Sequence, residues 1–154
     1  MKKAYELENI DDFIEDFNHP KFKLGSLKRV SGENQENPDA ILELNGQEKI
    51  GLEATVAIAP DDLPNARPKV NHPSEAFYNP TPAIDELIKR IKEKSLNDYK
   101  GEGLDATWLL ISGGSYIPPR DLEERLKQES FTTKFNRIFI HKGLGVDLVE
   151  VVKR

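Results

Sequence analysis

The chain has no cysteine. That excludes a disulfide framework, a zinc–thiolate site and a cysteine nucleophile, and it is compatible with the expected cytoplasmic location. Long apolar runs are missing too. No stretch approaches the roughly 20 residues that a membrane-spanning helix requires, so no membrane association is expected. Met1-Lys2-Lys3 leads into acids, Glu6 and Glu8, and not into the apolar segment of a secretion signal. Positive charge is not in excess: the formal net charge is -5, which argues against a protein that coats nucleic acid non-specifically. A nuclease is not excluded on that ground, because such a site is itself acidic and its basic residues are localised. Neither Gly113-Gly114 nor Gly143-Leu144-Gly145 carries phosphate-loop or dinucleotide spacing. There is no internal repeat and no low-complexity tract.

What is present is a globular composition, 32 % charged and 37 % hydrophobic over 154 residues. It suits a single domain, 1–154, large enough to bury a core. Leu7, Ile10, Phe13, Ile14 and Phe17 recur at helical spacing and predict a helix over 5–17, ended by Asn18-His19-Pro20. A first strand is expected within 21–30, around Phe22, Leu24 and Val30. Asn45-Gly46 separates two apolar, alternating runs, one from Pro38 to Leu44 and one from Lys49 to Ile58, a strong hairpin signal. A proline-rich loop over 59–82 follows, and loops of that length tend to be functional. Thr81 caps and Pro82 opens an expected helix over 83–99, with Ile84, Leu87, Ile88 and Ile91 as its stripe. The run 106–111 around Trp108 reads as a buried strand. A short helix over 121–127, capped near Asp121, and strands over 137–141 and 146–152 complete the chain. This order predicts an α/β fold of α+β-like character, a mixed central sheet flanked by helices.

Two acids stand out. Asp39 sits in Pro38-Asp39 at the start of one hairpin strand, and Glu53 lies inside the other, flanked by Leu52 and Ala54. A carboxylate in a largely buried strand is costly unless it is paired or binds a metal. Two carboxylates brought together repel, and a divalent cation resolves the repulsion. Blander readings stand beside this one: Pro-Asp is a common turn pair, and on an edge strand Glu53 would face solvent.

The pair resembles the PD-(D/E)xK nuclease superfamily, the restriction-endonuclease-like fold, in which Pro-Asp starts one hairpin strand and Glu-x-Lys lies on the next. Pro38-Asp39 and Glu53-Ala54-Thr55 match, except that Thr55 stands where the superfamily has lysine. The resemblance implies an αβββαβ core, here followed by a helix and two strands. It also implies a magnesium or manganese ion held by Asp39, Glu53 and the carbonyl of Ala54, which suits hard oxygen donors. Some members carry their lysine on the second helix, and Lys94, on the apolar stripe after Leu87 and Ile91, is the candidate for that catalytic role. A lysine near a helix end also snorkels readily, and Lys92 and Lys100 are nearby substitutes. Members often bring an acid from the first helix near the metal, for which Glu6 is placed better than Glu8 or Glu15. Thr55 offers a hydroxyl but no charge.

Arg67, Lys69 and His72 in the long loop are candidate phosphate contacts, as is the basic stretch Lys21, Lys23, Lys28 and Arg29. His141 alone says little. Two functions follow from these residues. One is a metal-dependent nuclease that cuts phosphodiesters in DNA or RNA, with Asp39, Glu53 and Lys94 as its catalytic residues. The alternative is a catalytically inactive nuclease-like module of the immunity or phage-inhibitor type, which binds a protein or nucleic-acid partner. Nucleic acid is the expected partner of the first reading, with a homodimer as one assembly.

Overall fold

The amphipathic run at the start of the chain folds as helix α1, Ala4–Phe17. Its apolar stripe, Ile10, Phe13 and Phe17, is fully buried. His19 accepts a hydrogen bond from the Lys21 N–H, and a single 3-10 turn, Pro20–Phe22, follows. That turn uses up residues expected to be extended, so strand β1 is only Leu27–Arg29. Strands β2, Ala40–Leu44, and β3, Glu48–Val56, form the expected hairpin. Asn45 and Gly46 have φ of 53° and 70°, the left-handed region that Asn and Gly occupy most easily. The Gln47 N–H closes the turn on the Leu44 carbonyl at 3.0 Å.

Helix α2 runs Thr81–Ser95, strand β4 Ala106–Ser112, helix α3 Pro119–Lys127, and strands β5 and β6 Arg137–His141 and Leu148–Val151. The computed structural model describes residues 4–56, 81–96, 103–113, 117–145 and 148–151. Arg67, Lys69, His72 and most of the proline-rich loop therefore lie outside the described residues. Thr81 belongs to the first turn of α2 and does not precede it. At the other end Ser95 Oγ donates to the Ile91 carbonyl at 2.6 Å, a back-bond that competes with helix propagation. Pro118 and Pro119 start α3 two residues before Asp121, without a side-chain cap.

The six strands form one sheet in chain order, β1 to β6. β1–β2, β2–β3 and β5–β6 pair antiparallel, whereas β3–β4 and β4–β5 pair parallel. A parallel neighbour demands a crossover, and α2 and α3 supply the two. Successive crossovers of the usual hand, made in one direction along a sheet, fall on the same face. Accordingly α2 and α3 share one core with Leu109, Ile111, Ile138 and Ile140, while α1 covers the other face against Leu42, Ile50, Leu52, Trp108 and Phe139. The molecule is thus an α/β fold with a mixed sheet between helices. β4 is apolar from Trp108 to Ile111, where both of its faces are buried. On the α1 side Phe13, Phe17, Trp108 and Phe139 meet with ring centroids 5.2–5.8 Å apart. Among the described residues no helix is long and apolar enough to cross a membrane.

Strand register is fixed by a repeated device. Asp105, just before β4, donates its N–H to the Lys49 carbonyl at 2.8 Å and accepts the Lys49 N–H on Oδ2 at 2.8 Å. Asn136, just before β5, does the same to Thr107, at 2.8 and 2.9 Å. Asn45 clamps Ser26 in this way at 2.7 and 2.9 Å. Asn18 uses its amide for both bonds to Leu27, at 2.6 and 2.8 Å. All four clamps lie on the edge of the sheet where β3, β4 and β5 begin.

The clamp predicts a split between two variants. Asp105→Ala loses about 0.5–1.5 kcal/mol, the net worth of an ordinary hydrogen bond, whereas Asp105→Asn, which keeps an acceptor oxygen, stays within about 0.5 kcal/mol of the parent. Urea denaturation measures both. A second expectation concerns Glu129, which Arg125 first and Lys92 second hold below the usual carboxylate range. Its folded pKa is depressed, so its contribution is present above the unfolded pKa and lost as pH falls through the folded one. The urea midpoint of Glu129→Gln therefore falls less steeply on acidification than that of the parent.

Candidate functional site

The opposite edge of the sheet, where β3 and β4 end, carries a cleft of about 250 Å³. Ligands in open α/β sheets bind beyond the carboxyl ends of the strands. The described residues lining the cleft are Glu6, Asn9 and Ile10 of α1, Asp39, the strand end Ala54-Thr55-Val56, Arg90 of α2 and Ser112 of β4.

The hairpin register determines which acids reach this edge. Ala40 pairs with Leu52, and both belong to the α1 core. One residue further along each strand, Asp39 comes opposite Glu53, on the face that α2 covers. Glu53 is 8 % exposed, so the alternative of a solvent-facing edge glutamate falls: β3 lies inside the sheet with a partner on each side. Thr55 follows Glu53 on the same face and lines the cleft, while Glu53 lies one pleat deeper. Asp39 Oδ2 accepts the backbone N–H of Ala54 at 2.8 Å, which fixes the carboxylate against the strand end. Among the described residues no group of three or more histidine or acidic side chains is arranged to hold a metal ion. The register places Asp39 opposite Glu53, and Asp39, Ala54 and Glu6 line the cleft.

Lys94 does not line the cleft. The cation that α2 brings there is Arg90, one turn earlier. Arg90 Nε lies 3.4 Å from Glu86 Oε1, and both side chains are largely covered, at 29 % and 16 % exposure. Ala83, Leu87, Arg90 and Lys94 lie along one edge of the helix by spacing, so the sequence places both cations on that edge. Which turn reaches the strand ends depends on where α2 docks, and no spacing within the helix contains that. Ser112 also went unnoticed in the sequence, since a serine that closes an apolar strand looks like a strand terminator.

Pro38 is held by a close approach. A Cβ added at Gly51 would stand 2.7 Å from Leu104 Cδ1 and 3.2 Å from Pro38 Cγ. The leucine end can move aside, but the proline ring cannot without carrying Asp39 with it. Gly51→Ala is therefore expected to cost about 1–3 kcal/mol by overpacking, read as a lowered urea midpoint, and to shift the amide resonance of Ala54, which reports the Asp39 bond.

No protein-family model, curated protein or solved structure matches the chain, so the action of this cleft is argued from its own geometry and donors.

Proposed function

We propose that the protein is a divalent-metal-dependent phosphodiester hydrolase that acts on DNA or RNA, built on a restriction-endonuclease-like core. The observation that carries this reading is the gathering, at one strand-end cleft, of the Asp39 carboxylate, the Ala54 backbone, Glu6 and the Arg90 guanidinium, with Glu53 opposite Asp39 in the hairpin. The order α1-β1-β2-β3-α2-β4 supports the finer fold reading, since it is the αβββαβ order that the resemblance implies.

The donors fit a small, hard cation. Magnesium keeps several waters and needs only one or two carboxylates with further oxygens, so the lack of a third acidic side chain is no obstacle. Asp39 and Glu53 would hold the ion with the Ala54 carbonyl. When bound, the metal would polarise a phosphoryl oxygen and lower the pKa of a water. Around it the protein would supply fixed charge: the Ala54 N–H orients Asp39, and Arg90 would meet the charge that builds on the phosphate, as preorganised donors do in a covered site. Thr55 contributes a hydroxyl, without the electrostatic work of a lysine. In this reading Arg67, Lys69 and His72 serve as backbone contacts to the nucleic acid.

A specific observation favours the inactive module as the second reading. Asp39 precedes β2 and accepts a neighbouring strand's N–H, as Asp105 and Asn136 do at the other edge. Its task within this fold would then be register alone.

Asp39→Asn separates the two, because the amide oxygen still accepts from Ala54 while the charge is lost. Calorimetric titration with manganese is expected to give a stoichiometric signal in the parent, weakened at least about tenfold in Asp39→Asn and Glu53→Gln. Cleavage of end-labelled single- and double-stranded DNA and RNA with magnesium should fall by roughly 100-fold or more in both variants, with Asp39→Asn unfolding at the parent's temperature. Manganese binding equal in parent and variants would remove the metal site and leave the module.

A further inference from the structure

Among the described residues, two buried side-chain polar atoms have no hydrogen-bond partner in the protein: Arg90 Nε and Ser112 Oγ. Both residues line the same cleft. Buried polar groups are almost always paired, so each exception calls for a reason, and here both exceptions meet at one place. Ser112 is 6 % exposed. It pairs with Val56 on one side and His141 on the other, so its backbone belongs to the sheet while its hydroxyl is left over. Arg90 Nε is near Glu86 but not aligned for a hydrogen bond. The glutamate orients the guanidinium and leaves the Nε–H unspent.

An arginine Nε–H only donates, and a hydroxyl can donate. Their common complement is a group rich in acceptor oxygens, and arginine with a hydroxyl is a frequent pairing for oxyanions. We propose that Arg90 and Ser112 form a phosphate subsite in this cleft, set apart from the acidic side formed by Asp39 and Glu53. The proposal rests on the phosphodiester reading and deepens it, by naming the side chains that grip the phosphate group itself. A cleft of about 250 Å³ falls below the usual ~300–1,000 Å³ of ligand pockets, so it takes one phosphate group and not a whole nucleotide. Glu6 and Asp39 share the cleft and repel a free anion. Without metal the affinity for phosphate is therefore weak, about millimolar.

The test is a titration of the full chain with inorganic phosphate in EDTA at low salt, followed by phosphorus NMR. Saturable binding is expected. Arg90→Lys, which keeps the charge but loses the planar Nε donor, weakens it about tenfold, and Ser112→Ala weakens it roughly threefold to tenfold. Ser112→Ala should also leave the thermal midpoint unchanged or raised, since it deletes a buried hydroxyl that nothing in the protein pairs with. Asp39→Asn binds phosphate at least as tightly as the parent, because a repelling charge is gone. Phosphate binding of this pattern in a protein that never cleaves nucleic acid sinks the nuclease reading and upholds the subsite. Cleavage without phosphate binding, or binding that Arg90→Lys and Ser112→Ala leave untouched, overturns the subsite. Acetate binding as tight as phosphate binding overturns its assignment to phosphate.

Discussion

Register is what the rest of this molecule depends on, and it is set by single Asp and Asn side chains that stand in for missing strand backbone. Asp105 and Asn136 each occupy the position just before a parallel strand and grip both backbone groups of one residue on the neighbour. Parallel pairing is slightly weaker per residue than antiparallel pairing and lacks a tight turn to align it. Local clamps supply that alignment. Once Lys49 is tied to Asp105, β3 and β4 match from Ile50 and Ala106 onward, and the parity of β3 is decided. Ile50 and Leu52 then belong to the α1 core, while Glu53 turns toward α2. A slip of one residue would invert every one of those assignments, placing Glu53 among Phe13, Phe17 and Trp108.

The same logic explains why a carboxylate is tolerated inside a strand. Glu53 lies near the carboxyl end of β3, where the covering helices give way to the cleft, and it stands opposite another acid and not against the aromatic cluster. Both faces of the sheet around it are otherwise filled by apolar cores. Asp39 has a structural duty and a chemical opportunity at once. Its Oδ2 serves the Ala54 N–H, which removes rotational freedom from the carboxylate before any ligand arrives. A register clamp is thereby also a preorganised donor, so neither role argues against the other.

How much of this was legible in the sequence follows from the range of the determining interactions. The hairpin was legible because Asn45-Gly46 carries its own backbone preference, and β5 because Arg137–His141 is a short apolar run between turn residues. β1 was overestimated: the alternation around Phe22 and Leu24 suggests extension, but Pro20 and the His19 side chain favour a local 3-10 turn. The two acids were identified, and register brought them opposite each other. Lys94 was singled out and Arg90 went unnamed, because helix periodicity reports which edge of α2 is covered and says nothing of which turn meets the end of β3. The clamping residues escaped notice for the opposite reason, since Asp and Asn before a strand are usual turn residues and their partners are 56 and 29 positions away.

The contrast between the two edges of the sheet bears on function more than either edge alone. Where β3, β4 and β5 start, Asx side chains satisfy backbone groups that would otherwise be left to solvent. Where β3 and β4 end, a serine hydroxyl and an arginine Nε are left without a hydrogen-bond partner in the protein. Natural sequences are locally consistent except at functional or strained sites, and this chain has the means for consistency, since it applies the same clamp four times. A chain under selection for stability alone would be expected to carry alanine or valine at position 112, both compatible with the strand. The concentration of such choices at one edge, beside the Asp39 carboxylate that accepts the Ala54 N–H, is what the proposed phosphate subsite would complete.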